Sequence, residues 1–101
     1  PLVMLEAYCF NIPVIATDVG SCHELIYGRT AEDQALGKCG YTVPFGMSQK
    51  LGEKIHKLCK DDNLRSQMGE VANLRYEYYY QEKFTIKNYL KLYHKHLNYM
   101  L

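Results

Sequence analysis

The sequence predicts an α/β fold, in which short parallel strands with flanking helices are followed by a helical carboxyl-terminal half. A short apolar run bounded by turn residues occurs at 13–16, which is the pattern of a buried strand in a parallel sheet, and residues 41–43 suit a second short strand. The segments around and after these two strands carry apolar residues at helical spacing. The chain has 101 residues, enough for one small domain and not two, so we treat 1–101 as a single domain.

The first element is predicted to be a helix over residues 1–10. Pro1 suits the first helical position, where a missing N–H costs nothing. Apolar side chains surround much of this helix, so we expect it to be largely buried. Asn11 tolerates a left-handed backbone and can end the helix, and Pro13 blocks its continuation.

The first strand is predicted at 13–16, followed by a turn at 17–20. Ser21 resembles a helix N-cap, and Glu24 three residues later completes the pattern of a capping box. A short helix through Ile26 follows from this pattern.

The rest of the chain is predicted as one strand and several helices. One or two helical turns are expected at 31–36, and a strand at 41–43 is stopped by Pro44. Ser48 is expected to cap a helix that ends near Lys60. Asp61 or Asp62 begins the next helix, and a final helix follows a break near 84–85. The apolar faces of the first two of these helices are predicted to be formed by Leu51, Ile55 and Leu58, and by Leu64, Met68, Val71 and Leu74.

Composition excludes several functions. The net charge of +1 provides no basic field for nucleic acid. No apolar run has transmembrane length and no leader is visible, so we expect a cytoplasmic location, with any membrane association made through partners. The cysteines lack a C-x-x-C pair and the histidines lack a metal-binding pair, so we expect reduced, buried or partly buried thiols and no metal.

The chain is also expected to be a fragment of a larger protein. It begins directly with a buried-type helix, and a two-stranded parallel sheet is a poor core by itself. We therefore expect earlier strands upstream, and self-association of the isolated chain through surfaces that the missing part would cover.

Two places could bind a ligand, because ligands of open α/β sheets lie beyond the carboxyl ends of strands and beside helix amino-termini. The amides of Leu2 and Val3 at the start of the first helix suit an anion such as a diphosphate. Glu6, one turn further, would suit ribose hydroxyls, although its spacing alone favours a solvated helix residue.

The second place is the loop after the first strand, which contains Thr17, Asp18 and Gly20. Gly20 would let a ligand approach the backbone closely, although the segment could also be an ordinary strand-to-helix turn. His23 lies near this loop and is a weak candidate. The tyrosine run at 76–80 is expected to serve packing and interfaces rather than base stacking.

The segments 1–7, 12–20 and 24–26 resemble the carboxyl-terminal domain of the family-four retaining glycosyltransferases. These enzymes have the GT-B architecture, in which two Rossmann-like domains face each other across the active-site cleft. The resemblance implies that the chain is a partial Rossmann-like domain that binds a nucleotide sugar and lacks upstream strands and an amino-terminal acceptor domain.

The resemblance also implies residue roles. The family has two glutamates separated by seven residues, and Glu6 corresponds to the second, which binds the donor ribose. The first would precede Pro1. Amides corresponding to Leu2 and Val3 hold the diphosphate, and no residue of this chain is assigned a catalytic role.

The segments 18–26, 28–29 and 32–37 are similar to the branch that contains the glycosyltransferase of Pel exopolysaccharide assembly. This implies a UDP-sugar donor, a polysaccharide or glycan acceptor and no metal or other cofactor, with the fragment alone inactive. A GT-B-type sugar-nucleotide epimerase and a non-catalytic interaction domain that uses the tyrosine-rich helices remain the alternatives.

Overall fold

The computed structural model describes residues 2–81, which form a two-stranded parallel sheet with helices packed around it. The mixed α/β fold predicted from the sequence is therefore confirmed, and it is consistent with a partial Rossmann-like domain. Pro1, the expected break near 84–85 and the expected final helix lie outside the described residues. The elements, in chain order, are α1 (Leu2–Cys9), β1 (Val14–Thr17), α2 (Cys22–Tyr27), α3 (Ala31–Gln34), β2 (Gly40–Val43), α4 (Ser48–Lys60), α5 (Asp62–Arg75) and a π-helical segment (Tyr76–Tyr80).

The sheet pairs β1 with β2 in parallel, from Val14 opposite Gly40 to Thr17 opposite Val43. The predicted turn thus begins one residue later than expected, because Thr17 belongs to the ladder. The pairing extends one step further, since the Asp18 N–H donates to the carbonyl of Val43 at 2.8 Å. All four residues of β1 are half-buried rather than fully buried as a strand covered on both faces would be.

Helix α1 ends where the sequence predicts, because Asn11 adopts a left-handed backbone with φ of 58°. The expectation that α1 is largely buried is wrong. Met4 and Tyr8 are its fully buried residues, Leu5, Ala7 and Cys9 are half-buried and pack against the core, and Val3 is 71% exposed. Met4 and Tyr8 lie four residues apart on one face of the helix, which packs against α5 and the π-helical segment.

Helix α5 lies close against the end of α1. The Asn73 side-chain amide donates to the carbonyls of Tyr8 and Cys9, at 3.3 and 3.5 Å, and so satisfies acceptors at the carboxyl end of α1. A Cβ atom at Gly69 would collide with the carbonyl of Asn11. Glycine is therefore required where the two backbones meet.

The capping box predicted at the start of α2 does not form. The Ser21 side chain makes no capping hydrogen bond, and its backbone, with φ of −87° and ψ of 6°, is not the extended conformation that an N-cap requires. A preceding turn explains the difference, because the Cys22 N–H donates to the carbonyl of Val19 at 3.1 Å.

Helix α4 spans the predicted range, but Ser48 is its first residue and not its cap. Met47 occupies the N-cap position and makes no side-chain hydrogen bond there. Leu58 is buried as expected, whereas Leu51 and Ile55 are 37% and 47% exposed. Helix α4 contacts both strands, but its packing buries only part of its apolar face.

Helix α5 begins as predicted, since the Asp61 carboxylate accepts from the Leu64 N–H at 2.9 Å. Its predicted apolar stripe is correct through Val71, because Met68 is buried and Leu64 and Val71 are half-buried against the core. The stripe fails at Leu74, which is 42% exposed, because the neighbouring Arg75 turns inward instead.

Two groups of buried side chains form the core. The larger group lies between α1, α2 and α5, and the smaller one lies between β2, α4 and α5. The larger group consists of Met4, Tyr8, Leu25, Ile26, Cys39, Ala72 and Tyr76, and the smaller one of Tyr41, Leu58 and Met68.

All four cysteines are free thiols as expected, but Cys59 is exposed rather than buried or partly buried. Within residues 2–81, none of the helices combines the length and apolar character needed to cross a membrane.

Candidate functional site

The start of α1 has backbone donors without a partner inside the helix. Leu2 and Val3 are the first two residues of the helix, so their N–H groups have no partner within it. These two residues are 49% and 71% exposed. The helix dipole favours an anion at this end, and the first turn carries no acidic residue that would compete for the position.

Glu6 lies on the same helix, about 6 Å further along its axis than Leu2. It is half-buried, and its carboxylate has no ion pair or hydrogen bond within residues 2–81. The carboxylate is therefore available to accept hydrogen bonds from a ligand.

An open cleft joins the start of α1 to the loop after β1. We call it the α1–β1 cleft. Its volume is about 520 Å³, which lies in the range of pockets that hold small organic ligands. The cleft is mostly apolar along its floor and brings Val3 together with Gly20. It is lined by Val3, Met4, Val14, Ile15, Ala16, Val19, Gly20, Ser21 and Cys22.

Gly20 gives this cleft an accessible backbone wall. Its φ of 53° lies in the left-handed region that glycine adopts without strain, and a Cβ atom there would meet nothing within 4 Å. The space in front of Gly20 is therefore open, and the residue is needed for its conformation rather than for lack of room.

The other predicted residues lie around this cleft but do not line it. Leu2 lines a neighbouring cavity of about 300 Å³, and Ser21 belongs to both cavities. Thr17 lines a third cavity of about 220 Å³ at the carboxyl ends of the two strands. Glu6 and Asp18 line none of these three cavities. Of the six predicted binding residues, the structure thus brings two, Val3 and Gly20, into one cleft.

His23, the weak candidate near the loop, is exposed on α2 and contacts a ring rather than the cleft. Its ring centre lies 4.6 Å from that of Tyr27. The Tyr27 hydroxyl in turn accepts a hydrogen bond from the Thr42 N–H of β2 at 3.1 Å. His23 therefore packs against a tyrosine that is hydrogen-bonded to β2, and it does not line the cleft.

A buried ion pair holds the segment after α2 in place, and spacing in the sequence did not reveal it. The Arg75 Nε lies 2.6 Å from Asp33 Oδ1, and the two side chains are 0% and 2% exposed. The guanidinium also donates to the carbonyls of Ile26 and Gly37, at 2.9 and 2.7 Å. The other oxygen of Asp33 accepts from the Arg29 N–H at 2.9 Å. Arg75 thus joins α5 to both ends of the polar segment that connects α2 to β2.

Burial and hydrogen bonding shift the pKa values of this region. Burial is the largest single effect on Arg75 and lowers the pKa of its guanidinium, but the hydrogen bond with Asp33 and the interactions with Cys39 and the Asp33 charge together exceed it, so the pKa is raised. Burial raises the pKa of Tyr8, whose hydroxyl donates to the carbonyl of Leu25 at 2.9 Å. Burial likewise raises the pKa of the Cys39 thiol. Tyr8 and Cys39 are therefore neutral structural groups rather than reactive ones.

Comparison with known proteins identifies the family. The family described as "Glycosyl transferases group 1" matches residues 1–75, which include the α1–β1 cleft and the Asp33–Arg75 pair. The chain belongs to this family.

A curated relative from Staphylococcus aureus, the "Capsular polysaccharide biosynthesis glycosyltransferase CapM", is 33% identical to the group 1 chain over 76 residues. The matched region covers 74% of this chain and 18% of the relative, so the chain spans less than a fifth of that protein's length. No solved structure matches.

Proposed function

We propose that this chain is the carboxyl-terminal, nucleotide-sugar-binding part of a longer glycosyltransferase. The longer enzyme transfers a sugar from a UDP-sugar, with retention, to a polysaccharide or glycan acceptor. Membership of the group 1 family supports glycosyl transfer, and the 18% coverage of the staphylococcal relative supports a longer parent protein. That relative's name refers to capsular polysaccharide biosynthesis, which supports a polysaccharide acceptor and a role in exopolysaccharide biosynthesis.

The observation that carries the proposal is the α1–β1 cleft, which is lined by both Val3, at a helix amino-terminus, and Gly20. In our proposal, the amides of Leu2 and Val3 hold the donor diphosphate. This matches the preference of helix amino-termini for anions. The loop of Thr17, Asp18 and Gly20 lies beside the nucleotide.

Glu6 is proposed to accept hydrogen bonds from the ribose hydroxyls. Its carboxylate has no partner within residues 2–81, so it can bind a ligand without breaking an existing contact. A hydrogen bond to a charged group contributes about 1.5–3 kcal/mol. The role is one of binding, and this chain contributes no proposed catalytic residue and needs no metal for it.

If this chain binds the donor, the other parts of the active site belong to the rest of the parent protein. The acceptor domain and the upstream strands are proposed to lie in the rest of the parent protein, with the active site between the two domains. The isolated chain is then inactive. We propose a cytoplasmic location, where sugar nucleotides are available, with membrane association only through partners.

Isothermal titration of the longer polypeptide with UDP tests the donor site. We expect saturable binding that Glu6→Gln weakens about tenfold or more, because the neutral amide loses the charge-assisted hydrogen bonds. Glu70→Gln is the matched control, since Glu70 is an exposed helical glutamate of α5, away from the cleft. Absence of UDP binding, or equal binding by the Glu6 variant, would contradict the assignment.

A screen of UDP-sugars for hydrolysis would then identify the sugar, and the anomeric configuration of the transferred product tests retention. A product of inverted configuration would contradict the retaining mechanism and leave the donor site standing.

A non-catalytic interaction domain is the second candidate, favoured by one observation. The rings of Tyr78 and Tyr79 lie edge to face at 6.3 Å, with Tyr78 68% exposed. Tyrosine is enriched at interfaces. Failure to bind any UDP-sugar, together with a protein partner lost in Tyr78→Ser, would favour this candidate.

A further inference from the structure

Three lysine side chains converge on the ring of Tyr41. The ammonium nitrogens of Lys38, Lys54 and Lys57 lie 5.0, 4.5 and 5.6 Å from the ring centre. Lys38 precedes β2, whereas the other two lie on α4, so separate segments of the chain bring these charges to one point. We call Tyr41 and these three residues the lysine cluster.

The lysine cluster has no counter-charge within residues 2–81. The ion pairs of this region join Arg29 to Glu24, Arg65 to Asp62 and Arg75 to Asp33, and none includes a lysine of the cluster. A tyrosine ring carries no net charge, so its attraction for nearby cations does not neutralise three of them. Three ammonium groups within 5.6 Å of one point repel each other unless an anion joins them.

The hydroxyl of Tyr41 gives a second, independent indication. Tyr41 is 4% exposed, and its buried hydroxyl has no hydrogen-bond partner within the described part of the chain. Buried polar groups are almost always paired, and leaving one unpaired destabilises the fold. The unpaired hydroxyl belongs to the ring that the three ammonium groups approach, so an anion that reached it would gain a hydrogen-bond donor in addition to the lysines.

We propose that the lysine cluster binds a phosphate-bearing anion, such as a phosphate or diphosphate ester. A phosphate offers several charged oxygens, so it can accept from more than one ammonium group and from a hydroxyl at once. Lysine binds phosphate as a mobile point charge and needs no fixed fork geometry. The site is separate from the α1–β1 cleft, because none of its four residues lines that cleft. It therefore does not depend on the proposed donor site.

Titration of inorganic pyrophosphate into the ¹⁵N-labelled 101-residue chain, followed by NMR at low salt, tests the proposal. We expect saturable shifts at Tyr41 and Lys38. Lys54→Gln and Lys57→Gln should each weaken binding by about tenfold, because each removes one charge-assisted contact. Lys60→Gln is the matched control, since Lys60 is an exposed lysine of α4 without contact to the Tyr41 ring. It should leave the dissociation constant unchanged.

Tyr41→Phe separates a binding role from a structural one. It keeps the ring beneath the lysines and removes the unpaired hydroxyl, so the unliganded chain should become more resistant to urea. Its affinity for pyrophosphate should nevertheless fall several-fold, since a bound oxygen loses a donor. An unchanged affinity would contradict the place of Tyr41 in the site.

Two sources could supply the anion, and vesicles distinguish them. Co-sedimentation with vesicles of anionic phospholipid, but not of phosphatidylcholine, would identify a lipid headgroup as the source, provided that Lys54→Gln abolishes it. Binding of pyrophosphate without vesicle binding would identify a soluble phosphate ester. Absence of saturable binding to both probes, or equal weakening by Lys60→Gln, would overturn the proposal.

Discussion

Arg75 and Asp33 show how much one buried pair can hold together. The guanidinium joins α5 to carbonyls at Ile26 and Gly37, and it is fully buried. Removing one partner of such a pair leaves an uncompensated buried charge and costs about 3–5 kcal/mol. We therefore expect Asp33→Asn to lower the free energy of unfolding by this amount in urea denaturation.

The exposed pair Arg65–Asp62 provides the control for this prediction. Its atoms are also 2.6 Å apart, but the side chains are 45% and 85% exposed. Solvent screening limits such a pair to about 1 kcal/mol or less. Equal losses from Asp33→Asn and Asp62→Asn would show that burial does not set the strength of the Arg75 contact.

The ionisation of Tyr8 makes the free energy of unfolding depend on pH in the alkaline range. Burial raises its pKa above the ordinary value of 10.0, so the folded chain keeps the phenol neutral where the unfolded chain ionises. The stabilisation is complete below the unfolded pKa and is lost as the pH rises above it. Tyr8→Phe should therefore show a shallower fall in unfolding free energy between about pH 9 and pH 11 than the parent chain. Tyr78→Phe, at an exposed tyrosine, should follow the parent, and an identical slope in the Tyr8 variant would refute the linkage.

A local sequence signal for a helix cap predicted the role of a residue only where the backbone of that residue has the conformation that a cap needs. Asp61 caps α5 as its position suggests, because its backbone is extended. Ser21 has the same kind of signal but no capping bond, because the turn at Val19 fixes a different conformation. The partner of Arg75 lies 42 positions away in the chain, and no local pattern connects the two.

The two strands and α4 have the predicted bounds to within one residue, whereas the π-helical segment Tyr76–Tyr80 was not predicted. Asn11, Pro13 and Pro44 act through their own backbone geometry, so they end elements wherever they occur. Which apolar residues become buried depends instead on distant neighbours. For this reason Leu74 and Ile55 match a helical stripe and are nevertheless exposed.

The packing of α5 on the end of α1 gives a prediction for one glycine. A Cβ atom at Gly69 would overlap the carbonyl of Asn11, so Gly69→Ala must push the helices apart. Overpacking of this kind costs about 1–3 kcal/mol, which chemical denaturation can measure. Gly52→Ala on α4 is the control, because nothing lies within 4 Å of its Cβ position and it should stabilise the helix by up to about 1 kcal/mol. A stabilising Gly69→Ala would contradict the close packing.

At the scale of the whole molecule, apolar surface remains at both the start of α1 and the β2–α4 connection. Val3 and Phe45 are 71% and 86% exposed. If a longer parent covers these surfaces, the isolated chain should associate with itself as its concentration rises. Sedimentation velocity should show a mass that grows with concentration and shrinks in the double variant V3S/F45S. A stable monomer at high concentration would count against this account.

The α1–β1 cleft is a property of the whole molecule that periodicity alone does not reveal. The sequence identified the helix start and the glycine loop separately, and only the fold brings Val3 to Gly20. The separate positions of Thr17 and Leu2 in neighbouring cavities could not be read from spacing, because they depend on the orientation of α1 relative to the sheet.

The most direct test of donor binding is to follow the backbone amides of the longer polypeptide by NMR during titration with UDP. We expect saturable shifts at Leu2, Val3 and Gly20, since these N–H groups lie where the nucleotide is proposed to bind. Gln49 at the start of α4 serves as the control amide and should not move with the same dissociation constant. Shifts confined to residues outside the α1–β1 cleft, with the amides of Leu2 and Val3 unmoved at saturation, would contradict the donor site.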